Sequence, residues 1–117
     1  MKHKTILMIL LMFTVPLANA IRISIISEIK DTSALGFSIK GEKNGHGGLG
    51  KSYTKDGMPK GATYSVGFRK SIFGDDITCY TRGKHPKTYR KLSRDVTIVL
   101  RENKQGQCRQ YVYYDQP

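Results

Sequence analysis

Thr63-Tyr64-Ser65-Val66-Gly67-Phe68-Arg69-Lys70 sets Tyr64, Val66 and Phe68 on one side of an extended chain, and Thr63, Ser65, Gly67 and Arg69 on the other. Successive side chains of a β-strand point to opposite faces, so this octet reads as a strand with one face in a core and one in water. The same period recurs on either side of it. Upstream, Leu35, Phe37 and Ile39 alternate with Gly36, Ser38 and Lys40, and Ile21, Ile23 and Ile25 alternate with Arg22 and Ser24. The adjacent pair Ile25-Ile26 breaks that rhythm and is read as a bulge or as burial on both faces. Downstream, Ile72-Phe73-Gly74-Asp75-Asp76 reads as a turn with apolar anchors. Asp76 to Thr81 then reads as one strand with Ile77, Cys79 and Thr81 on a common face. Val96, Ile98 and Leu100 mark another, and Asn103-Lys104-Gln105-Gly106 a hairpin turn. The last strand, Gln107 to Asp115, sets Cys108, Val112 and Tyr114 opposite Arg109, Tyr111 and Tyr113.

No segment beyond residue 20 sustains a helical period. Six or seven short strands in so short a chain imply an all-β fold, a small antiparallel β-sandwich, with a small β-barrel as the alternative. The immunoglobulin pattern is not met, because there is no tryptophan and both cysteines sit late in the chain.

Seven of the twelve glycines fall between Gly41 and Gly61. This segment reads as a mobile hairpin connection, with Lys51 to Lys55 as a short edge strand whose lysines discourage further pairing. Within it, Gly45-His46-Gly47-Gly48-Leu49-Gly50-Lys51-Ser52 matches the phosphate-cradling pattern G-x-x-x-x-G-K-[ST]. That pattern needs a helix directly after the Ser, so that helix and loop N–H groups surround the phosphates. Gly57 and Pro59 would break such a helix within its second turn. The match is therefore read as accidental, with no nucleotide and no cofactor implied.

The N-terminus reads as an export signal. Lys2-His3-Lys4 is a basic start, Thr5 to Val15 an uncharged apolar run, and Ala18-Asn19-Ala20 a small-x-small cleavage site. The apolar run is shorter than the ~20 residues of a membrane-spanning helix. Cleavage after Ala20 would leave a single β domain, 21–117, in a periplasmic or extracellular setting. There, Cys79 and Cys108 are expected to form a disulfide, closing a loop of roughly 30 residues, with two buried free thiols as the alternative. Their wide spacing argues against a metal site. The chain carries a formal charge of +11, and loss of Lys2 and Lys4 would leave +9. Such an excess draws a protein toward polyanions and says nothing of its fold.

The strongest candidate for function lies between Thr81 and Asp95. Arg82, Lys84, His85, Lys87, Arg90, Lys91 and Arg94 stand there without an acid, and Tyr80 and Tyr89 are interleaved with them. Cations attract phosphate or sulfate regardless of sequence, and aromatic rings stack on bases or sugar faces. Tyr111, Tyr113 and Tyr114 form a second aromatic group, read either as a contact surface or as cross-strand packing. The expected function is non-enzymatic binding of an acidic surface or polymer: anionic lipid, acidic polysaccharide or nucleic acid. An assembly subunit of an envelope or secreted complex is the alternative, with a protein partner at its strand edges and tyrosine face. A small ribonuclease-like hydrolase is a third, with His46, His85 and Lys84 supplying acid, base and cation. Asp75-Asp76 reads as the start of a strand rather than as a catalytic pair.

Overall fold

The alternation becomes ten strands in a computed structural model, which describes residues 20–114. They are β1 (Ala20–Ser27), β2 (Ala34–Ile39), β3 (His46–Leu49), β4 (Ser52–Pro59), β5 (Thr63–Arg69), β6 (Ile77–Thr78), β7 (Tyr80–Thr81), β8 (Tyr89–Lys91), β9 (Val96–Glu102) and β10 (Cys108–Tyr114). The export signal read at the N-terminus lies, except for Ala20, outside the described residues, as do the last three positions of the chain.

Two sheets form. The first has the order β4-β1-β9-β10-β7, and the second β3-β2-β5-β6, with β8 pairing β5 alongside β6. Their ladders remain separate, so the architecture is a sandwich rather than a closed barrel. It is mixed rather than purely antiparallel, because β1 runs parallel to β9 and β7 parallel to β10. Parallel neighbours need a crossover. For β7 and β10 that crossover passes through the other sheet, by way of β8.

The core is built from the faces that the alternation marks. Ile23 and Ile25 of β1 and Ile98 and Leu100 of β9 are fully buried, and they face Leu35, Phe37, Val66 and Phe68 of the second sheet. Tyr64 is buried with them, and desolvation pushes its phenol pKa up to about 12. The β1 irregularity lies between Ile21 and Ile23 rather than at Ile25-Ile26. Ile26 simply faces outward, 42% exposed.

The glycine segment departs most from its reading, for it supplies two strands. β3 pairs with β2 in the second sheet, and β4 pairs with β1 in the first. Gly36 and Gly47 stand directly opposite each other. A Cβ on either would come 2.6 Å from a backbone oxygen, of His46 or Leu35 respectively. Glycine is present here because two strands approach too closely for a side chain, not because the chain is loose. Gly50, at a φ of 102°, turns the chain from β3 across to β4. The residues from Gly45 to Ser52 are thus strand, turn and the start of β4, and no helix follows Ser52.

A second departure lies at Cys79. The stretch read as one strand from Asp76 to Thr81 is two short strands in different sheets. The Cys79 N–H still bonds Val66 of β5, while the next residue, Tyr80, pairs with Arg109 of β10. Cys79 is disulfide-bonded to Cys108, with Cα atoms 4.7 Å apart. Beside this corner Gln110, wholly buried, donates to the Cys79 carbonyl at 2.8 Å and accepts from Arg90 Nε at 3.3 Å. Both ends of a buried amide are thereby satisfied. The Ile72-Phe73 turn is also unlike its reading: neither residue anchors anything, and Phe73 is 99% exposed.

Removing the bridge frees a chain segment that only short ladders otherwise hold. The Cys79→Ala/Cys108→Ala variant is expected to lose about 2–5 kcal/mol of unfolding free energy in denaturant titration. A loss below about 1 kcal/mol would mean that the corner stands without its disulfide.

Candidate anion-binding face

The outer side of the first sheet gathers the residues best suited to bind an anion. Inward-facing Cys108, Gln110 and Val112 leave Arg109, Tyr111 and Tyr113 of β10 pointing to solvent. In the same way, inward-facing Val96, Ile98 and Leu100 leave Arg101 of β9 outside. Register then forms a row. Tyr80 pairs with Arg109, and Arg109 stands opposite Arg101. Arg101 in turn donates from Nε to Glu28 at 2.8 Å. Arg82, one residue past β7, lies with its guanidinium carbon 4.6 Å from the centre of the Tyr111 ring. Arg101 lies 4.6 Å from the same ring, and Arg109 is 5.8 Å from the ring of Tyr80.

Three guanidiniums therefore surround two tyrosine rings, with Glu28 as the one carboxylate in the group. The hydrogen bond from Arg101 lowers the pKa of Glu28; that bond, and a second with Tyr113, push the pKa of Arg101 further up. Arg109 is held by neutral partners, the Thr81 carbonyl at 3.1 Å and the Gln107 amide oxygen at 2.9 Å. Among the described residues no carboxylate pairs with Arg82 or Arg109. Like charges directly opposite on neighbouring strands oppose pairing. An anion between Arg101 and Arg109 would remove that repulsion, and the flanking rings hold the guanidiniums through cation–π contact.

The basic segment read from the sequence is divided by the fold. It is not one connection, because β8 lies inside it and Leu92 is buried in the core. Arg82 joins the face just described. Lys84, His85 and Lys87 sit on the exposed tip that continues from Arg82, whose base is closed by hydrogen bonds between Thr81 and Lys87. Arg90 turns inward to Gln110 and acts structurally. Lys91 pairs with Thr63 on the second sheet, and Arg94 lies over Tyr114, 4.6 Å from its centre. Tyr114 keeps the side of β10 that it shares with Cys108 and Val112, opposite buried Val96 and near Tyr64, and at the strand end it is 39% exposed. The tyrosines divide too: Tyr80, Tyr111 and Tyr113 share the arginine face, while Tyr89 belongs to β8 and lies near Lys40.

Arg101 and Arg109 were not among the residues singled out in the sequence. A signal for them existed. Outward alternation on both strands, combined with the Asn103–Gly106 turn, places Arg101 across from Arg109, since turn length sets hairpin register.

The other candidates do not assemble. His46 stacks on Phe37 and bonds Glu42 at the β3 edge, whereas His85 lies on the tip leading into β8, with β2 and β5 between the two edges. Asp76 pairs with Arg69, and Asp75, exposed at the surface, acts on the same guanidinium only at longer range. Among the described residues no three His, Cys, Asp or Glu side chains gather as a metal site.

No protein-family model, curated protein or solved structure matches this chain. The candidate site rests on its own geometry.

Proposed function

We propose that the protein is an exported, non-enzymatic binding module for an extended polyanion, taken up across the outer face of the first sheet. The observation that carries this reading is the opposed pair Arg101 and Arg109, with Arg82 and two tyrosine rings beside them and a single carboxylate in reach. Guanidinium forks suit the planar geometry of carboxylate and phosphate, and sulfate offers similar oxygens. The rings offer faces on which sugars or bases can lie. The exposed tip with Lys84, His85 and Lys87 extends the positive surface, so a polymer longer than one charged unit gains further contacts.

Counterion release makes such binding strongly salt-dependent. Binding to heparin and to single-stranded nucleic acid should weaken linearly on a log–log plot against salt. In the Arg82→Ala/Arg109→Thr variant that slope should fall by roughly 1.4–1.8, two charges' worth. Unfolding free energy should fall by no more than about 1–3 kcal/mol, because Arg82 is exposed while Arg109 gives up its hydrogen bonds to the Thr81 carbonyl and Gln107. Lys91→Ala/Arg94→Ala, remote from this face, should change the slope less. An equal change would move the site to the 89–94 segment, and an unchanged slope in the first variant would remove the proposed face. Binding to anionic vesicles alone would replace the polymer with a membrane surface.

Export is part of the same proposal. It rests on the order of basic, apolar and Ala-x-Ala regions, and the Cys79–Cys108 disulfide is compatible with an oxidising compartment. Intact mass of the secreted protein should correspond to a chain starting at Ile21. Retention of residues 1–20 in that form would contradict export by cleavage.

A further inference from the structure

Not every ring on the arginine face is open to a ligand. Tyr111 stands on β10, the strand between β9 and β7. Thr81 of β7 pairs with Gln110, so the next residue, Arg82, comes alongside Tyr111 from the β7 side. Arg101 reaches the same ring from the β9 side. Both guanidinium carbons lie over the ring, each 4.6 Å from its centre. The two cations repel one another and approach from strands on opposite sides, so each takes its own face of the ring. Tyr111 is accordingly half-buried, whereas Tyr113 and Tyr80 are 50% and 39% exposed.

The two open rings are kept apart. Tyr80 stands beside Arg109, four residues along β10 from Tyr113, which is roughly 13 Å at the rise of a strand. Tyr113 is also engaged by its hydrogen bond with Arg101. Surfaces that bind single-stranded nucleic acid gain affinity by stacking successive bases on successive rings. Here the ring between the open ones is filled on both sides by guanidiniums, and the middle of the face offers N–H donors in place of a platform. Arg82 makes no side-chain hydrogen bond to any described residue, so its donors are not claimed elsewhere in the fold. Sulfate and carboxylate groups along a polysaccharide can use such donors with no ring stacked at the centre. A single strand of nucleic acid would forgo there the stacking from which it gains most.

Granted that this face takes up a polyanion, we propose that the polymer is an acidic polysaccharide read through its anionic groups. Tyr111 is then a positioning residue, a spacer that holds Arg82 and Arg101 on either side of it, rather than a platform for a base or a sugar.

Magnetic resonance of the free protein tests the spacer. The ring current should move the side-chain δ-methylene resonances of both Arg82 and Arg101 upfield in the native protein and in Tyr111→Phe. Both shifts should vanish in Tyr111→Leu. Affinity tests the ligand, with three probes of equal charge: a heparin-derived oligosaccharide, a thymidine oligonucleotide, and the same phosphodiester chain without bases. The oligosaccharide should bind most tightly. The two phosphodiester chains should bind within about fivefold of each other, the least that one base stacked on an aromatic ring contributes. That comparison needs only the native protein, so it stands whatever the stability of the variants. Tyr111→Leu should weaken all three probes by the same factor, and Tyr111→Phe should bind them as the native protein does.

A thymidine chain favoured over its abasic counterpart by more than about fivefold, with the advantage lost in Tyr111→Leu, would make Tyr111 a platform and nucleic acid the ligand. An upfield shift on only one of the two arginines would leave a face of the ring open and overturn the spacer. Failure to bind any of the three probes would remove the polyanion face itself, which base-dependent binding would not.

Discussion

The bond between Cys79 and Cys108 is the constraint on which the arrangement of this protein depends. The chain leaves the second sheet and enters the first within the three residues Thr78, Cys79 and Tyr80. β7, the strand it forms on arrival, has two residues and pairs parallel to β10. A ladder that short, in the less stable of the two pairing modes, has little strength of its own. The disulfide fixes the entry point covalently, and the buried amide of Gln110 holds the Cys79 carbonyl beside it. Tyr80 and Arg82 are therefore brought next to Arg109 and Tyr111 by a cross-link in the core rather than by contacts at the surface.

That division of labour explains how the outer face can tolerate opposed arginines. Stability comes from Ile23, Ile25, Ile98, Leu100 and their partners across the sandwich, together with the bridge. The surface row is then free to carry Arg101 against Arg109, a pairing that a sheet held together by its cross-strand side chains would disfavour. Glu28 offsets one of these charges and leaves the others to the solvent or a ligand. On the second sheet the same freedom has another outcome, a row of glycines in place of a row of charges. The two sides of one small core thus differ, with a row of arginines on one and a row of glycines on the other.

Much of the fold was legible because a two-residue period survives in the strands with one buried face: β1, β2, β5 and β9 can be read from Ile, Leu, Val, Phe and Tyr64, and β10 from Cys108, Val112 and its alternating tyrosines. β4 was legible only in part, as the short edge strand read at Lys51 to Lys55, and β3 was not, since a strand of His and Gly lacks the apolar alternation that marks one, and tertiary close approach overrides glycine's reluctance to be in it. The sheet change at Cys79 was hidden for a different reason. Alternation records which side faces the core and is unaltered when a strand passes from one sheet to the other, so Ile77, Cys79 and Thr81 keep a common face through the corner. At the candidate site the charge run at 82–94 drew attention by its density. Density in sequence is a poor guide once a buried Leu92 and an inward-turned Arg90 divide the run. Arg101 and Arg109, isolated in sequence, meet only through the pairing of their hairpin.

Arginine-selective labelling with a dicarbonyl reagent, read by mass spectrometry with and without a heparin-derived oligosaccharide, tests the anion-binding face most directly. Bound polyanion should protect Arg82 and Arg109 most, Arg101 to a smaller degree because Glu28 already engages it, and leave Arg94 as reactive as before. Protection centred on Arg94, or equal reactivity of Arg82 and Arg109 in the free and bound protein, would contradict the assignment.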